Sequence, residues 1–297
     1  MKSAIVTGAT GFIGAHLCEE LINNEIEVTA LVRAESIKNT RLPNRIKRIA
    51  CGMDEYDNLE CNSADVFYHL AWEGATGAGR DDELLQVKNI SRTLAALKAA
   101  KRIGCKRFVA MGTVYEKLLP QILKENTHRK ADFYLIAKNS AHDLCLKLSQ
   151  KLDIEFVWVT IFQPIGRYIK PDQMMAYAID GLIKGEAPMF GPGKEPYDIT
   201  AVEDIALGLR LLGASNLSKS EYYVGSGSPR IMSEYLKEAK ETIGSDTELL
   251  INARPDDGLR FSFEWFDISD LQRDTGYSAK VSFVKAVQNV VEWVKTI

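Results

Sequence analysis

Two short stretches of this chain combine residue types and spacings that can do chemistry. Tyr134 and Lys138 stand four apart in Tyr134-Leu135-Ile136-Ala137-Lys138, and on a helix that spacing puts both on one face. A lysine ammonium near a tyrosine hydroxyl favours the phenolate and draws its pKa down toward working pH. The tyrosine then becomes a usable general acid or base for an alcohol/ketone pair. Far upstream, Thr7-Gly8-Ala9-Thr10-Gly11-Phe12-Ile13-Gly14 follows an apolar run and opens a helical pattern. Gly8 would allow a tight turn, Gly11 would let the backbone approach a pyrophosphate, and Gly14 would let helix and strand pack closely. The first helical N–H groups would face the anion. The expectation is a dinucleotide site.

These residues need a sheet to hold them. Residues 4–7 read as a strand, 15–24 as a helix and 27–32 as a second strand, the spacing of a βαβ unit. Residues 48–51 read as a third strand, and 65–71 form a near-continuous apolar run, as in a strand buried on both faces of a parallel sheet. Apolar residues recur at three- and four-residue spacings over 82–103 and stop at Gly104, which predicts a long amphipathic helix. A strand at 106–111, a second long helix at 133–152 and a strand at 155–162 continue the alternation. Beyond residue 162 five prolines punctuate the chain up to Asp198, and the texture changes. Helices are expected at 172–184, 202–212, 233–242 and 281–295, with a strand at 221–224. The fold expected is α/β: a Rossmann-like doubly wound parallel sheet over 1–162, then a smaller substrate lobe over 163–297 with some segments returning to the first domain.

Bulk composition narrows the function. The 297 residues are 46% hydrophobic, and 37 basic against 40 acidic residues give a net charge of −3. Such interspersed charge offers no basic stripe for nucleic acid and no polybasic patch for a membrane. No 18-residue apolar span occurs and the first strand starts at once, so a cytoplasmic protein acting on small molecules is expected. Cys18, Cys51, Cys61, Cys105 and Cys145 are scattered, and His16, His69, His128 and His142 show no ligand spacing. Neither a disulfide framework nor a metal site is expected. The three-glycine segment 72–80, at the carboxyl end of the 65–71 strand, is a candidate substrate wall, with Trp72 and Glu73 as contacts.

The order of these features, a glycine fingerprint, then Gly112-Thr113-Val114-Tyr115 at the end of a strand, then Tyr-x-x-x-Lys on the next helix, resembles that of the short-chain dehydrogenase/reductase superfamily. The whole chain resembles its extended branch, the NAD(P)-dependent epimerase/dehydratase family of nucleotide-sugar enzymes. Matching pieces include Asn89 and Thr93, the Glu195 to Ile205 stretch and Tyr223-Val224-Gly225-Ser226-Gly227. The resemblance implies that Tyr134 gives and takes the proton. It implies that Lys138 binds the nicotinamide ribose, and that Thr113 hydrogen-bonds the substrate oxygen. Cofactor contacts would come from Gly8, Thr10, Gly11, Phe12, Ile13, Gly14, Leu70 and Ala71, and a substrate contact from Gln163. It further implies a homodimer through the two long helices.

Departures from the family pattern bear on the substrate. Met111-Gly112-Thr113 stands where 4,6-dehydratases carry Thr-Asp-Glu, which disfavours water elimination. Gln163-Pro164-Ile165-Gly166 replaces Arg-x-x-Asn, and Tyr197 replaces an arginine, two positions that commonly hold the nucleotide diphosphate. Arg167, Lys170, Lys194 or Arg230 would have to supply that charge. At the end of the second strand Val32 stands in place of the acid that selects NAD. Arg33 and Ser36 are placed to meet a 2′-phosphate, with Glu35 as the opposing charge. NADP is favoured over NAD, and reductase over epimerase. The leading reading is hydride transfer on a nucleotide sugar, as a 4-keto-sugar reductase or UDP-sugar 4-epimerase. An NADPH-dependent reductase of a small non-nucleotide carbonyl and a non-catalytic cofactor-binding sensor are the alternatives.

Overall fold

A computed structural model describes residues 1–39 and 41–296. The strands β1 (Ser3–Thr7), β2 (Glu27–Val32), β3 (Lys47–Ala50), β4 (Val66–His69), β5 (Arg107–Met111) and β6 (Glu155–Thr160) pair in parallel. Side chains alternate across this sheet, as the strand period of two requires. Ala4, Val6, Tyr68, Val109 and Val157 enter one core, whereas Ile5, Phe67, Phe108, Phe156 and Trp158 enter the other. Both faces are therefore covered. The helices α1 (Phe12–Asn23), α2 (Glu83–Ile103), α3 (Leu119–Ile122) and α4 (Asp132–Leu152) fall between the strands, and α2 packs on α4 over the second core.

The chain then builds β7 (Gln163–Ile165), α5 (Met174–Lys184), β8 (Pro196–Tyr197), β9 (Ile199–Ala201), α6 (Val202–Ala214), β10 (Glu221–Tyr223), β11 (Arg230–Ile231), α7 (Met232–Ile243), α8 (Ser269–Thr275) and α9 (Phe283–Val294). Two of these rejoin the first part. The strand β10 pairs with β6, which gives a seven-stranded sheet of order β10-β6-β5-β4-β1-β2-β3, and α6 packs on α1. The helices α5, α7 and α9 with β7 and β9 enclose a separate core that includes Ile179, Leu236 and Val287. The order reverses between β1 and β4, and open α/β sheets bind ligands in the crevice outside the strand ends at that point.

The helix at the glycine cluster starts at Phe12, three residues before the sequence pattern places it, because Gly11 is its N-cap. Asp82 caps α2 by accepting from the Leu85 amide at 2.9 Å, and Gly104, at φ 91°, ends it. The strand expected over 65–71 pairs only to His69, because the Leu70 and Ala71 amides turn to the Thr7 hydroxyl, each at 3.2 Å. Among the described residues no helix is long and apolar enough to cross a membrane, and no cluster of three His, Cys, Asp or Glu could hold a metal ion.

Candidate active site

The glycines form a cradle that side chains would fill. Gly8 has φ +65°, and a Cβ there would lie 2.8 Å from the Ala71 nitrogen; a Cβ on Gly14 would lie 2.1 Å from the Gly8 carbonyl oxygen. Gly11 donates its amide to that carbonyl at 2.9 Å. No side chain caps α1, which leaves its first-turn N–H groups facing the crevice beside Gly8, Thr10 and Gly11, the arrangement that suits a pyrophosphate. Leu70 and Ala71 form the opposite wall. Phe12 is buried and, with Ile13, packs toward the lobe core. The residues present fit a dinucleotide.

Beneath this wall a polar chain locks β1 to β4. The Thr7 hydroxyl accepts from two amides, so its own proton goes to His69 Nδ1 at 3.0 Å, and His69 Nε2–H donates to Thr93 at 3.3 Å. Complete burial holds the His69 pKa down, to about 3.

At the end of β2, Val32 is buried and Arg33 exposed. Its guanidinium pairs with Glu35 at 3.2 Å, with both side chains about two-thirds or more in solvent. Ser36 is half-buried, and its amide donates to the Arg33 carbonyl at 2.8 Å. A second arginine reaches the glycine loop: Arg41 donates to the Thr10 carbonyl at 3.3 Å and lies over the Tyr168 ring. No local motif in the sequence marks this return of Arg41.

Tyr134 and Lys138 are both buried in α4 near the ends of β4 and β5. Lys138 Nζ donates to the Met111 carbonyl at 2.7 Å and sits 3.8 Å above the Trp72 ring. Trp72 is fixed by its indole N–H to Gln86 Oε1 at 2.9 Å, and it meets Tyr134 edge-on. The expected lowering of the Tyr134 pKa is not what this geometry produces. Burial pushes the hydroxyl up to about 12; Arg80, whose guanidinium lies 5.0 Å over the ring, opposes this, and the Glu116 charge adds to it. Lys138 is 5.9 Å from the ring centroid and is itself lowered by burial. Desolvation outweighs the nearby charge, and Tyr134 is held in its acid form.

The remaining candidates are spread around this pair. Thr113 is buried beside Met111; its hydroxyl accepts from the Tyr115 amide at 3.3 Å, and its own amide donates to Glu116 Oε1 at 2.7 Å. Gln163 donates to the Tyr115 hydroxyl at 3.0 Å, within aromatic surroundings that include Phe162, Tyr197 and Phe261. Glu73 directs its carboxylate to Arg92, at 2.6 Å. Arg167 pairs with Glu19 and Arg230 with Glu238, whereas Lys170 reaches Thr76 in the wall loop at 3.2 Å. Sequence reasoning missed Arg80 and Glu116. The Thr113-x-x-Glu116 spacing is a capping-box signal that was there to be read.

A model of the NAD dependent epimerase/dehydratase family matches residues 4–225. The chain belongs to this family. It is an enzyme of the epimerase/dehydratase class, and nicotinamide dinucleotide dependence goes with that membership. Among relatives in the family, an uncharacterized UDP-glucose epimerase of Bacillus subtilis, YtcB, is 24% identical, with 99% of this chain and 98% of that one aligned. The fold matches the UDP-N-acetylglucosamine 4-epimerase of Methanobrevibacter ruminantium M1, solved with UDP-N-acetylmuramic acid, at a TM-score of 0.82 and 21% identity over 99% of this chain and 98% of that one. It also matches the Bordetella bronchiseptica enzyme WbmF, solved with NADH, at 0.81 and 20% identity over 99% and 92%.

Proposed function

We propose that this enzyme carries out hydride transfer at a secondary alcohol or ketone of a nucleotide-linked sugar, with NADP as the preferred cofactor and keto-sugar reduction as the favoured direction. The observation that carries this is the convergence of Tyr134 and Lys138 at the strand ends next to the glycine cradle. The family membership and the names of the relatives support the substrate class. When bound, the nicotinamide supplies the hydride donor or acceptor. Gly8, Thr10, Gly11 and Gly14 would hold its pyrophosphate, and Arg33 with Ser36 the adenosine ribose phosphate.

Reduction of a ketone leaves an alkoxide that needs a proton, and Tyr134, held in its acid form, is placed to donate it. Burial works against the Lys138 ammonium, and where it is charged it would favour the resulting phenolate; Trp72 excludes water from one side of it. Thr113 lines the same strand end and would orient the substrate oxygen. Arg33 is free for a phosphate because its exposed pair with Glu35 is worth only about 0–1 kcal/mol, less than a charge-assisted bond to a dianion contributes.

A small carbonyl substrate without a nucleotide is the second reading. It is favoured by the aromatic surroundings of Gln163 and Tyr197, at positions where relatives carry phosphate-binding groups. The deciding experiment is fluorescence titration with NADPH and NADH on wild type and Arg33→Ala, followed by saturation-transfer NMR with UDP-, CDP- and dTDP-sugars. Tighter NADPH binding that Arg33→Ala abolishes, with binding of one sugar nucleotide, is expected. Equal cofactor affinities would return the reading to an NAD-holding epimerase, and binding of no sugar nucleotide would favour the small carbonyl.

A further inference from the structure

Gln163 and Tyr197 stand where a diphosphate is commonly held in the family, and neither carries a positive charge. Two of the basic residues that could compensate are already engaged: Arg167 pairs with Glu19 at 2.7 Å and Arg230 with Glu238 at 2.6 Å. Lys194 is exposed, and Lys170, also exposed, reaches only the Thr76 hydroxyl. A cation without a carboxylate stands instead at the end of the wall loop, beside Tyr134.

Arg80 is half-buried, and its Nε–H donates to the Ala75 carbonyl at 2.7 Å. Its guanidinium carbon lies 5.0 Å over the Tyr134 ring. Among the described residues no carboxylate pairs with it, and its remaining N–H groups donate to no protein acceptor. The two acids that follow it turn elsewhere, Asp81 to His128 at 2.6 Å and Asp82 to the start of α2. The backbone is built to hold Arg80 in this place. Gly74, at φ +65°, and Gly79 are in close contact, since a Cβ on Gly79 would lie 2.6 Å from the Gly74 Cα. The Gln86 amide donates to both their carbonyls, at 3.1 and 2.7 Å. The turn Gly77–Asp81 then packs on α4, the helix that carries Tyr134.

A guanidinium partly withdrawn from water is costly to leave without an acceptor. Its planar fork matches the two oxygens of a carboxylate or a phosphate. Tyr134 packs here with Trp72, Ala75, Tyr115 and Phe261, and in such apolar surroundings a charge-assisted bond gains strength.

We propose that Arg80 is a specificity-determining residue of the substrate site: its guanidinium binds an oxyanion of the nucleotide sugar, either the diphosphate or a carboxylate on the sugar ring, and supplies the charge that Gln163 and Tyr197 lack. This rests on the reading of a nucleotide-sugar substrate. A purely structural Arg80 would hold the wall loop through Ala75 and would affect charged and neutral ligands alike.

The test is calorimetric titration of cofactor-loaded wild type and Arg80→Gln with UDP-, CDP- and dTDP-glucose and their glucuronate counterparts. The uncharged nucleoside of whichever compound binds is followed beside it by saturation-transfer NMR. Arg80→Gln should weaken the sugar nucleotide about ten- to a hundredfold and leave the nucleoside signal unchanged. Arg80→Lys, which keeps the charge without the fork, should recover part of the loss. An equal loss for glucose and glucuronate compounds assigns the diphosphate, and a loss confined to the glucuronate assigns the ring carboxylate. Unchanged affinity for a sugar nucleotide that wild type binds overturns the proposal, as does a parallel loss of the nucleoside. Should Arg80→Gln fail to fold, Arg80→Met keeps the stem over the Tyr134 ring and is read by the same criteria. Wild type that binds none of these sugar nucleotides would instead overturn the nucleotide-sugar reading, and the proposal with it.

Discussion

Tyr134 acts, on this reading, as an acid whose proton is retained by burial rather than drawn off by Lys138. Replacing it with Phe removes the proton and little volume. Turnover should fall by about two to four orders of magnitude with cofactor affinity nearly unchanged, measured by steady-state kinetics beside a fluorescence titration. His69 carries a second residue-scale consequence. Its folded pKa, about 3, lies below the ordinary value of 6.5, so between those values the unfolded chain binds a proton that the folded chain does not. Its contribution is therefore fully present above about pH 6.5 and is lost as pH falls through the window. Urea unfolding from about pH 6.5 to pH 5 should cost wild type about 1–2 kcal/mol more than His69→Gln; equal losses would show that His69 stays neutral in neither state or in both. The sequence shows Tyr134 and Lys138 by spacing alone. It does not show the burial that reverses the expected direction for Tyr134, because that depends on Trp72 and Arg80, which reach the tyrosine from a loop more than fifty positions upstream.

Elements rather than single side chains make the cofactor cradle, and Gly14 is where two of them meet. A methyl group there would press on the Gly8 carbonyl, which cannot yield without opening the turn that Gly11 closes. Gly14→Ala should destabilise the protein by about 1–3 kcal/mol, the usual cost of overpacking, and should weaken cofactor binding as well, because α1 must move off β1. Thermal melts with and without cofactor would show both effects. A loss of stability with full cofactor affinity would mean that the helix start does not hold the pyrophosphate. The glycine spacing made this junction legible, as the 3.6-residue period made α2 and α4 legible. What local pattern could not supply are the long returns of the chain: Arg41 folding back on Thr10, or Glu116 entering the space that Gly112 leaves beside Trp158. Those contacts depend on which strands become neighbours, and no spacing within one element encodes that.

At the scale of the molecule, α2 and α4 lie side by side over one face of the sheet and keep apolar groups on their outer surface. Leu84 is 75% and Val87 61% exposed, one turn apart on α2, and Ile136 and Leu144 on α4 are 37% and 48% exposed. Buried neighbours such as Ala96, Leu97, Ala141 and Cys145 already cover the sheet, so the outer residues are surplus to the fold of one chain. Scattered exposed apolar residues are ordinary, but exposed apolar residues on two helices that pack side by side would suit an interface. Two copies related by a two-fold axis would bury this surface against itself as a four-helix bundle, since such an interface uses the same patch twice. Sedimentation at micromolar concentration should give about twice the 33.1 kDa of one chain, and Val87→Glu, placing two like charges across the axis, should return the monomer mass. Val87→Glu alters neither the Tyr134–Lys138 pair nor the glycine cradle, so the monomeric variant should retain cofactor binding. A wild type that sediments as a single chain would leave these four side chains as surface residues and remove the two-fold interface.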